Sequence, residues 1–321
     1  MKRIQLDKRT DLKSEIPLDT PYCIFIDPST ACNFKCGFCM NQYIKQPSVM
    51  SMPLFKKLID DLNEFKDPVK TIRLYGFGEP LLNKNFCDMV RYAKKSPKVL
   101  EVDTTTNASM LTPELIDDLV YSGIDRINIS IEAMNTEKYR EFTNNSTVIF
   151  ENIVENVKVL FEKSQGTIIF VKICGDFLTD EEKEKFLDIF IPISHGRDIE
   201  HTMNCWRDVK VENVNQEVGI YGQELKEVSV CPYVFYSFFI HSDGHASACF
   251  LDWNKKLVVG DAKNESIKSL WNDKLMGSIR KTMLNKERKN HPVCYECNQL
   301  IAGMPVDLDD SAKDILGRLN G

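Results

Sequence analysis

The chain has 321 residues, 43% hydrophobic and 27% charged, with a net charge of −6, a composition ordinary for a soluble globular protein of about two domains. An acidic balance with no evident basic face argues against nucleic-acid binding by phosphate neutralisation. No run approaches the ~18–20 apolar residues of a membrane span, and the opening MKRIQLDKRTDLKSE has no apolar core of a secretion signal. Eleven cysteines without such a signal point to a reducing, cytoplasmic setting and to metal binding rather than a disulfide framework.

From about residue 22 to 208, short apolar strands alternate with amphipathic helices. A strand at Cys23–Asp27 is followed by a helix at Leu54–Phe65, a strand at Thr71–Tyr75 and a helix at Asn85–Lys95. Then come a strand at Val99–Thr105, a helix at Pro113–Ser122, a strand at Arg126–Glu132 and a helix at Phe150–Lys163. A strand at Thr167–Cys174, a helix at Glu181–Ile191 and a strand at Ile199–Cys205 complete the series. Strand–helix alternation predicts parallel β/α units with right-handed crossovers. A closed eight-unit barrel is the alternative to six units, but the pattern fades after residue 208.

Strand parity assigns faces. In the fourth strand Ile127, Ile129 and Ile131 share one side, and Asn128, Ser130 and Glu132 the other. In the fifth, Ile169, Val171 and Ile173 oppose Phe170, Lys172 and Cys174; in the second, Ile72 and Leu74 oppose Arg73 and Tyr75. With the aliphatic sides packed on outer helices, the others face inward and suggest a cavity for a polar ligand. Residues 209–230 read as a polar connector. Strand-like runs at Phe235–His241 and His245–Cys249 follow, then a helix at Lys268–Leu284. The tail from Val306 is acidic and ends in a possible short helix.

The most specific feature is the loop ACNFKCGFC, in which Cys32, Cys36 and Cys39 have C-x3-C-x2-C spacing. Three thiolates closing on a cubic cluster leave one iron without a protein ligand, open to a chelating small molecule. Zinc is the competing reading, but the ten residues after Cys39 offer no Cys or His as a fourth ligand. With Phe38 before its third cysteine, this loop resembles the radical SAM superfamily. The resemblance implies an open, partial (β/α)6 radical SAM barrel. It also implies a [4Fe–4S] cluster whose open iron binds S-adenosylmethionine, which is cleaved to a 5′-deoxyadenosyl radical that abstracts hydrogen from substrate.

The run Gly76-Phe77-Gly78-Glu79-Pro80 after the second strand resembles the family's GGEP motif, with Phe77 in place of one glycine. There, backbone carbonyls and the Glu hold the methionine ammonium. By the same resemblance Thr106, Asn107 and Ser130 contact the ribose, the methionine carboxylate or the substrate. Arg140 would pair with that carboxylate, as a guanidinium fork suits it, or is an exposed helix charge. Tyr75 faces inward as a substrate contact.

Cys231, Cys249, Cys294 and Cys297, in the pattern C-x12-G-x4-C followed after 44 residues by C-x2-C, resemble the family's SPASM and twitch extensions. They supply ligands for one auxiliary [4Fe–4S] cluster; structural zinc is the alternative. The resemblance therefore implies a small C-terminal cysteine-rich twitch/SPASM-like domain. The division is a barrel at 1–208, a connector at 209–230, the auxiliary domain at 231–303 and a tail at 304–321.

Among the remaining cysteines, Cys23 and Cys87 read as buried small hydrophobes. Cys174 and Cys205 lie near the ends of late strands, where a thiol donates hydrogen to a substrate radical or simply packs. Arg207, two residues beyond Cys205, would hold a phosphate or carboxylate. The resemblance to twitch-type enzymes favours oxidation of a secondary alcohol in a carbohydrate-like substrate. Glu132 would take the proton and the auxiliary cluster the electron. Alternatives are a sugar or aminocyclitol epimerase using a cysteine hydrogen donor, a peptide-modifying SPASM maturase, and a non-catalytic iron–sulfur or zinc protein. A flavodoxin- or ferredoxin-type donor would supply electrons.

Overall fold

The computed structural model describes residues 10–209, 217–303 and 305–320. Parts of three expectations, the opening at 1–9, the connector at 210–216 and tail residues 304 and 321, lie outside the described residues. Among the described residues nine strands form one sheet: β1 (Cys23–Ile26), β2 (Val69–Arg73), β3 (Val99–Thr106), β4 (Arg126–Ile131), β5 (Ile168–Cys174), β6 (Gly196–Glu200), β7 (Ser237–Ile240), β8 (His245–Ser247) and β9 (Val258–Asp261). Their order is β6-β5-β4-β3-β2-β1-β7-β8-β9. The first six pair in parallel, neighbour to neighbour. The crossovers carry helices, as parallel pairing requires. Strand β7 joins the other side of β1 in parallel and continues into the antiparallel β8 and β9.

The helices start where capping chemistry allows. Ser51 caps Met52–Asp61, Thr112 with Pro113 at the first turn caps Pro113–Tyr121, and Thr179 with Glu182 forms a reciprocal capping box for Asp180–Phe190. Their apolar faces bury the aliphatic side of the sheet, where Ile72, Leu74, Ile127, Ile129, Ile169 and Val171 are fully buried in one core. Cys87 belongs to that core, and Cys23 is buried on the opposite face of the sheet.

The inner face has two characters. Toward β4–β6 it is polar, as parity implies. Toward β1 and β7 it is closed by a second apolar cluster of Cys23, Phe25, Met40, Phe77, Val209 and Phe239, with Tyr75, Trp206, Phe250 and Trp253 against it. Phe250, next to Cys249, stacks on Phe25 with centroids 5.0 Å apart.

Several elements differ from the sequence reading, among them β9, which it did not foresee. Strand β6 is Gly196–Glu200 rather than Ile199–Cys205, because Asp176 takes the Thr202 N–H at 2.7 Å, its hydroxyl at 2.6 Å and the His201 ring. Those bonds turn the chain away from the ladder, so strand parity does not place Cys205 and Arg207 on one side. The hydrophilic stretch Thr136–Thr143 is an additional helix, capped by Asn135 and closed by Asn144 in the left-handed region. The helix expected over Lys268–Leu284 is two, Ile267–Trp271 and Lys274–Leu284, since Asp273 caps the second. Among the described residues no helix is long and apolar enough to cross a membrane.

Candidate active site

The cysteine loop and the Gly76–Pro80 segment sit at the carboxyl ends of β1 and β2, and close backbone approach locks them together. A Cβ on Gly78 would lie 2.4 Å from the carbonyl oxygens of Ser29 and Ala31, and one on Gly76 would lie 2.6 Å from the Asp27 carboxyl carbon. Only glycine permits either contact. The Glu79 N–H donates to the Ala31 carbonyl at 2.8 Å. The buried Asn41 amide donates to the carbonyls of Thr30 (2.8 Å) and Phe77 (2.6 Å).

Glu79 is buried, and its carboxylate accepts from the Thr106 hydroxyl at 2.7 Å, the Asn107 N–H at 2.9 Å and the Leu81 N–H at 3.0 Å. The Asn107 amide reaches Asn33 in the cysteine loop at 3.0 Å. The expected cofactor residues Gly76, Gly78, Glu79, Thr106 and Asn107 thus form one lattice around the loop. Burial raises the Glu79 carboxyl above its usual range, opposed by these donors.

Burial pushes the Cys32 thiol up to about 12 and Cys39 to about 11, and Cys36 well above the ordinary thiol range. The second group behaves alike: burial, followed by the charge of Cys297, raises Cys231 and Cys249 and raises Cys294 to about 12. Thiolates at either group therefore need a metal's positive charge. Among the described residues no three ligand-type side chains close on one point within reach of a single ion, so the fit rests on the donor sets. Backbone N–H groups of Phe34, Asn41 and Leu251 already donate to the sulfurs of Cys32, Cys39 and Cys249 at 3.4–3.5 Å, the outer support expected for cluster thiolates. Three cysteines in one loop and four in the C-terminal unit fit a SAM-binding and a fully ligated cluster.

A cavity of about 220 Å³ opens over the ends of β4–β6, lined by Phe38, Ser130, Glu132, Lys172, Cys174, Glu200, His201, Cys205 and Trp206 among others. Five of the residues singled out from the sequence, Phe38, Ser130, Glu132, Cys174 and Cys205, are brought together there. Lys172 donates to Glu200 at 3.1 Å. Burial raises the Glu132 carboxyl to about 7, against the pull of Lys172. The charges of Cys297 and Cys39 both bear on Cys205, so it lies near a cysteine of each group. A larger, open depression of about 410 Å³ beside the C-terminal helix Ala312–Asn320 contains no cysteine.

Other expected residues stand elsewhere. Arg140 is exposed and donates Nε to the Val148 carbonyl at 2.9 Å. Arg207 donates to the Pro292 carbonyl at 2.7 Å and stacks over Tyr295, so it buttresses the second cysteine group. Tyr75 accepts from Arg73 at 2.7 Å and packs on Phe25. Neither Arg140, Arg207 nor Tyr75 lines the cavity. The sequence reading missed Asn41, Glu200 and Arg288. Arg288 is buried and donates to the carbonyls of Cys294 and Tyr295 at 3.1 and 3.3 Å. Asn41, two residues past Cys39, had only its proximity to the loop as a signal.

A family model of the radical SAM superfamily matches residues 26–190, and one of an iron–sulfur cluster-binding domain, SPASM, matches residues 231–298. The chain is 27% identical over 162 residues to a GTP 3′,8-cyclase of Clostridium perfringens, covering 49% of this chain and 47% of the relative. It therefore spans about half the length of that curated relative. Among solved structures it resembles BtrN in complex with AdoMet and 2-DOIA, with a TM-score of 0.54, 20% identity and coverage of 86% of this chain and 92% of that one. It also resembles Streptococcus suis SuiB bound to its precursor peptide SuiA, with a TM-score of 0.67, 15% identity and coverage of 84% and 69%. At these identities the likeness is one of fold.

Proposed function

Because the chain belongs to the radical SAM superfamily, we propose that it oxidises a secondary alcohol of a carbohydrate-like substrate held in the cavity over β4–β6. Cys32, Cys36 and Cys39 hold the SAM-binding [4Fe–4S] cluster, and Cys231, Cys249, Cys294 and Cys297 hold the auxiliary one. When bound, SAM on the first cluster supplies hydrogen abstraction and the auxiliary cluster supplies a one-electron acceptor. The segment Gly76–Pro80 receives the methionine ammonium on its backbone carbonyls, and Glu79 fixes those carbonyls through Thr106 and Asn107. Ser130 stands on the cavity side as a hydroxyl partner.

The observation that carries this reading is the cavity itself: a carboxylate, an ammonium and a hydroxyl from Glu132, Lys172 and Ser130 converge at strand ends, where ligands sit in β/α folds. Glu132, raised to about 7, takes the carbinol proton near neutral pH. Lys172, held by Glu200, keeps a positive charge beside the oxygen from which that proton leaves. Phe38, packed against the contacting pair Phe142 and Phe177 with centroids 5.4 and 6.2 Å away, forms an apolar wall that keeps water from the reacting carbon. A flavodoxin- or ferredoxin-type protein delivers the reducing electron.

A second reading, epimerisation, is favoured by one observation: the thiols of Cys174 and Cys205 line the same cavity as Glu132. The test offers reduced holoenzyme, SAM and a panel of sugars and cyclitols. Glu132→Gln should lower carbonyl product about 10²- to 10⁴-fold, the range of a general base, while 5′-deoxyadenosine still forms. Product at the wild-type rate would remove Glu132 from the reaction.

A further inference from the structure

Phe77 stands where the GGEP motif has a glycine, and its surroundings give it work that a glycine lacks. Its backbone is pinned on both sides. The N–H donates to Asp27 at 3.4 Å, the carbonyl accepts from Asn41 at 2.6 Å, and the flanking glycines are pressed against Asp27 and the Ser29–Ala31 backbone. Its ring, 2% exposed, packs on Phe239 with centroids 4.7 Å apart, on His241 at 5.6 Å and edge-on to Trp206 at 6.2 Å. Trp206 is itself a wall of the cavity, next to Cys205. One residue thus belongs to the segment read as the SAM cradle and touches the wall of the substrate cavity.

We propose that Phe77 is a positioning residue that couples SAM binding to the shape of the substrate cavity through Trp206. The inference rests on the reading that Gly76–Pro80 receives SAM. A glycine at position 77 would leave the segment no side chain through which its position reaches the cavity. With Phe77, a rigid aromatic contact links them, and packed aromatic interiors shift as units rather than deforming continuously. Whatever factor SAM binding imposes on the cavity, filling the cavity imposes on SAM affinity in return.

The test is a double-mutant cycle on the anaerobically reconstituted holoenzyme, with SAM itself as the titrated probe in calorimetry. Trp206→Ala, outside the SAM segment, should weaken SAM binding about three- to tenfold, the range of one aromatic contact. Made together with Phe77→Gly it should add less than about twofold, because the connection is already gone. Iron content and the cluster's paramagnetic signal verify that each variant has assembled. Phe77→Leu and Trp206→Leu carry the cycle if either first choice fails to assemble. Wild-type SAM affinity in the Trp206 variant, or fully additive losses, would overturn the coupling. Absence of SAM binding by the unaltered protein would instead overturn the reading of the segment on which the coupling rests.

Discussion

Replacing Glu79 perturbs the lattice at its centre. Three donors converge on this buried carboxylate: the Thr106 hydroxyl and the Leu81 N–H on Oε1, and the Asn107 N–H on Oε2. Glu79→Gln preserves Oε1 with both of its bonds but sets an amide NH2 against the Asn107 N–H. The Asn107 N–H and the amide N–H that faces it are then both unmet, at a cost of about 2–4 kcal/mol with incomplete additivity. Glu79→Ala leaves all three unmet, and with incomplete additivity costs roughly 3–6 kcal/mol, a large part of the ~5–15 kcal/mol that holds a domain together. The Gln variant is therefore the informative one. With the cradle displaced and the carboxylate charge gone, SAM binding should weaken by about 1.5–3 kcal/mol, roughly tenfold to a hundredfold. Calorimetric titration of SAM into reconstituted protein, alongside urea denaturation, measures both losses. Unchanged affinity and stability in both variants would show that Gly76–Pro80 is an ordinary turn.

Two further outcomes are expected. Anaerobic reconstitution should load about eight irons in two [4Fe–4S] clusters, and converting Cys32, Cys36 and Cys39 to Ala should abolish SAM cleavage while about four irons remain; an intact protein with about four irons and zinc in the second site would refute the auxiliary cluster. Burial holds the Glu132 carboxyl up to about 7, so it is protonated below that pH and ionised above it. Product formation should rise between about pH 6 and 8 and level off, and a base-limited rate that is flat across that window would exclude Glu132 as the proton acceptor.

Much of this architecture was readable because its signals are local. The C-x3-C-x2-C loop, the glycines before Glu79 and the alternation of β4 and β5 declare themselves within a few residues, and the loop and the glycines meet at the carboxyl ends of β1 and β2. What escaped depends on contacts distant in sequence. The end of β6 is set by Asp176, whose carboxylate takes the Thr202 N–H in place of a ladder partner, and nothing within Ile199–Cys205 announces it. Arg207 resembles a ligand-binding guanidinium, yet the loop at Pro292 captures it from 85 residues away. Arg140 has the right spacing but lies exposed on a hydrophilic helix whose only signals are the Asn135 and Asn144 caps. The aromatic half of the lumen was hidden because β7, which supplies Phe239, joins β1 only after the whole barrel has been laid down.

The proposed oxidation is tested most directly by the mass of the product formed from a carbohydrate-like substrate in ordinary and in deuterated water. Oxidation assisted by Glu132 predicts a product about two mass units lighter than substrate, with no carbon-bound deuterium gained from heavy water. A product of unchanged mass in ordinary water and with one solvent-derived deuterium in heavy water, lost in Cys205→Ala or Cys174→Ala, would contradict oxidation and establish a thiol hydrogen donor.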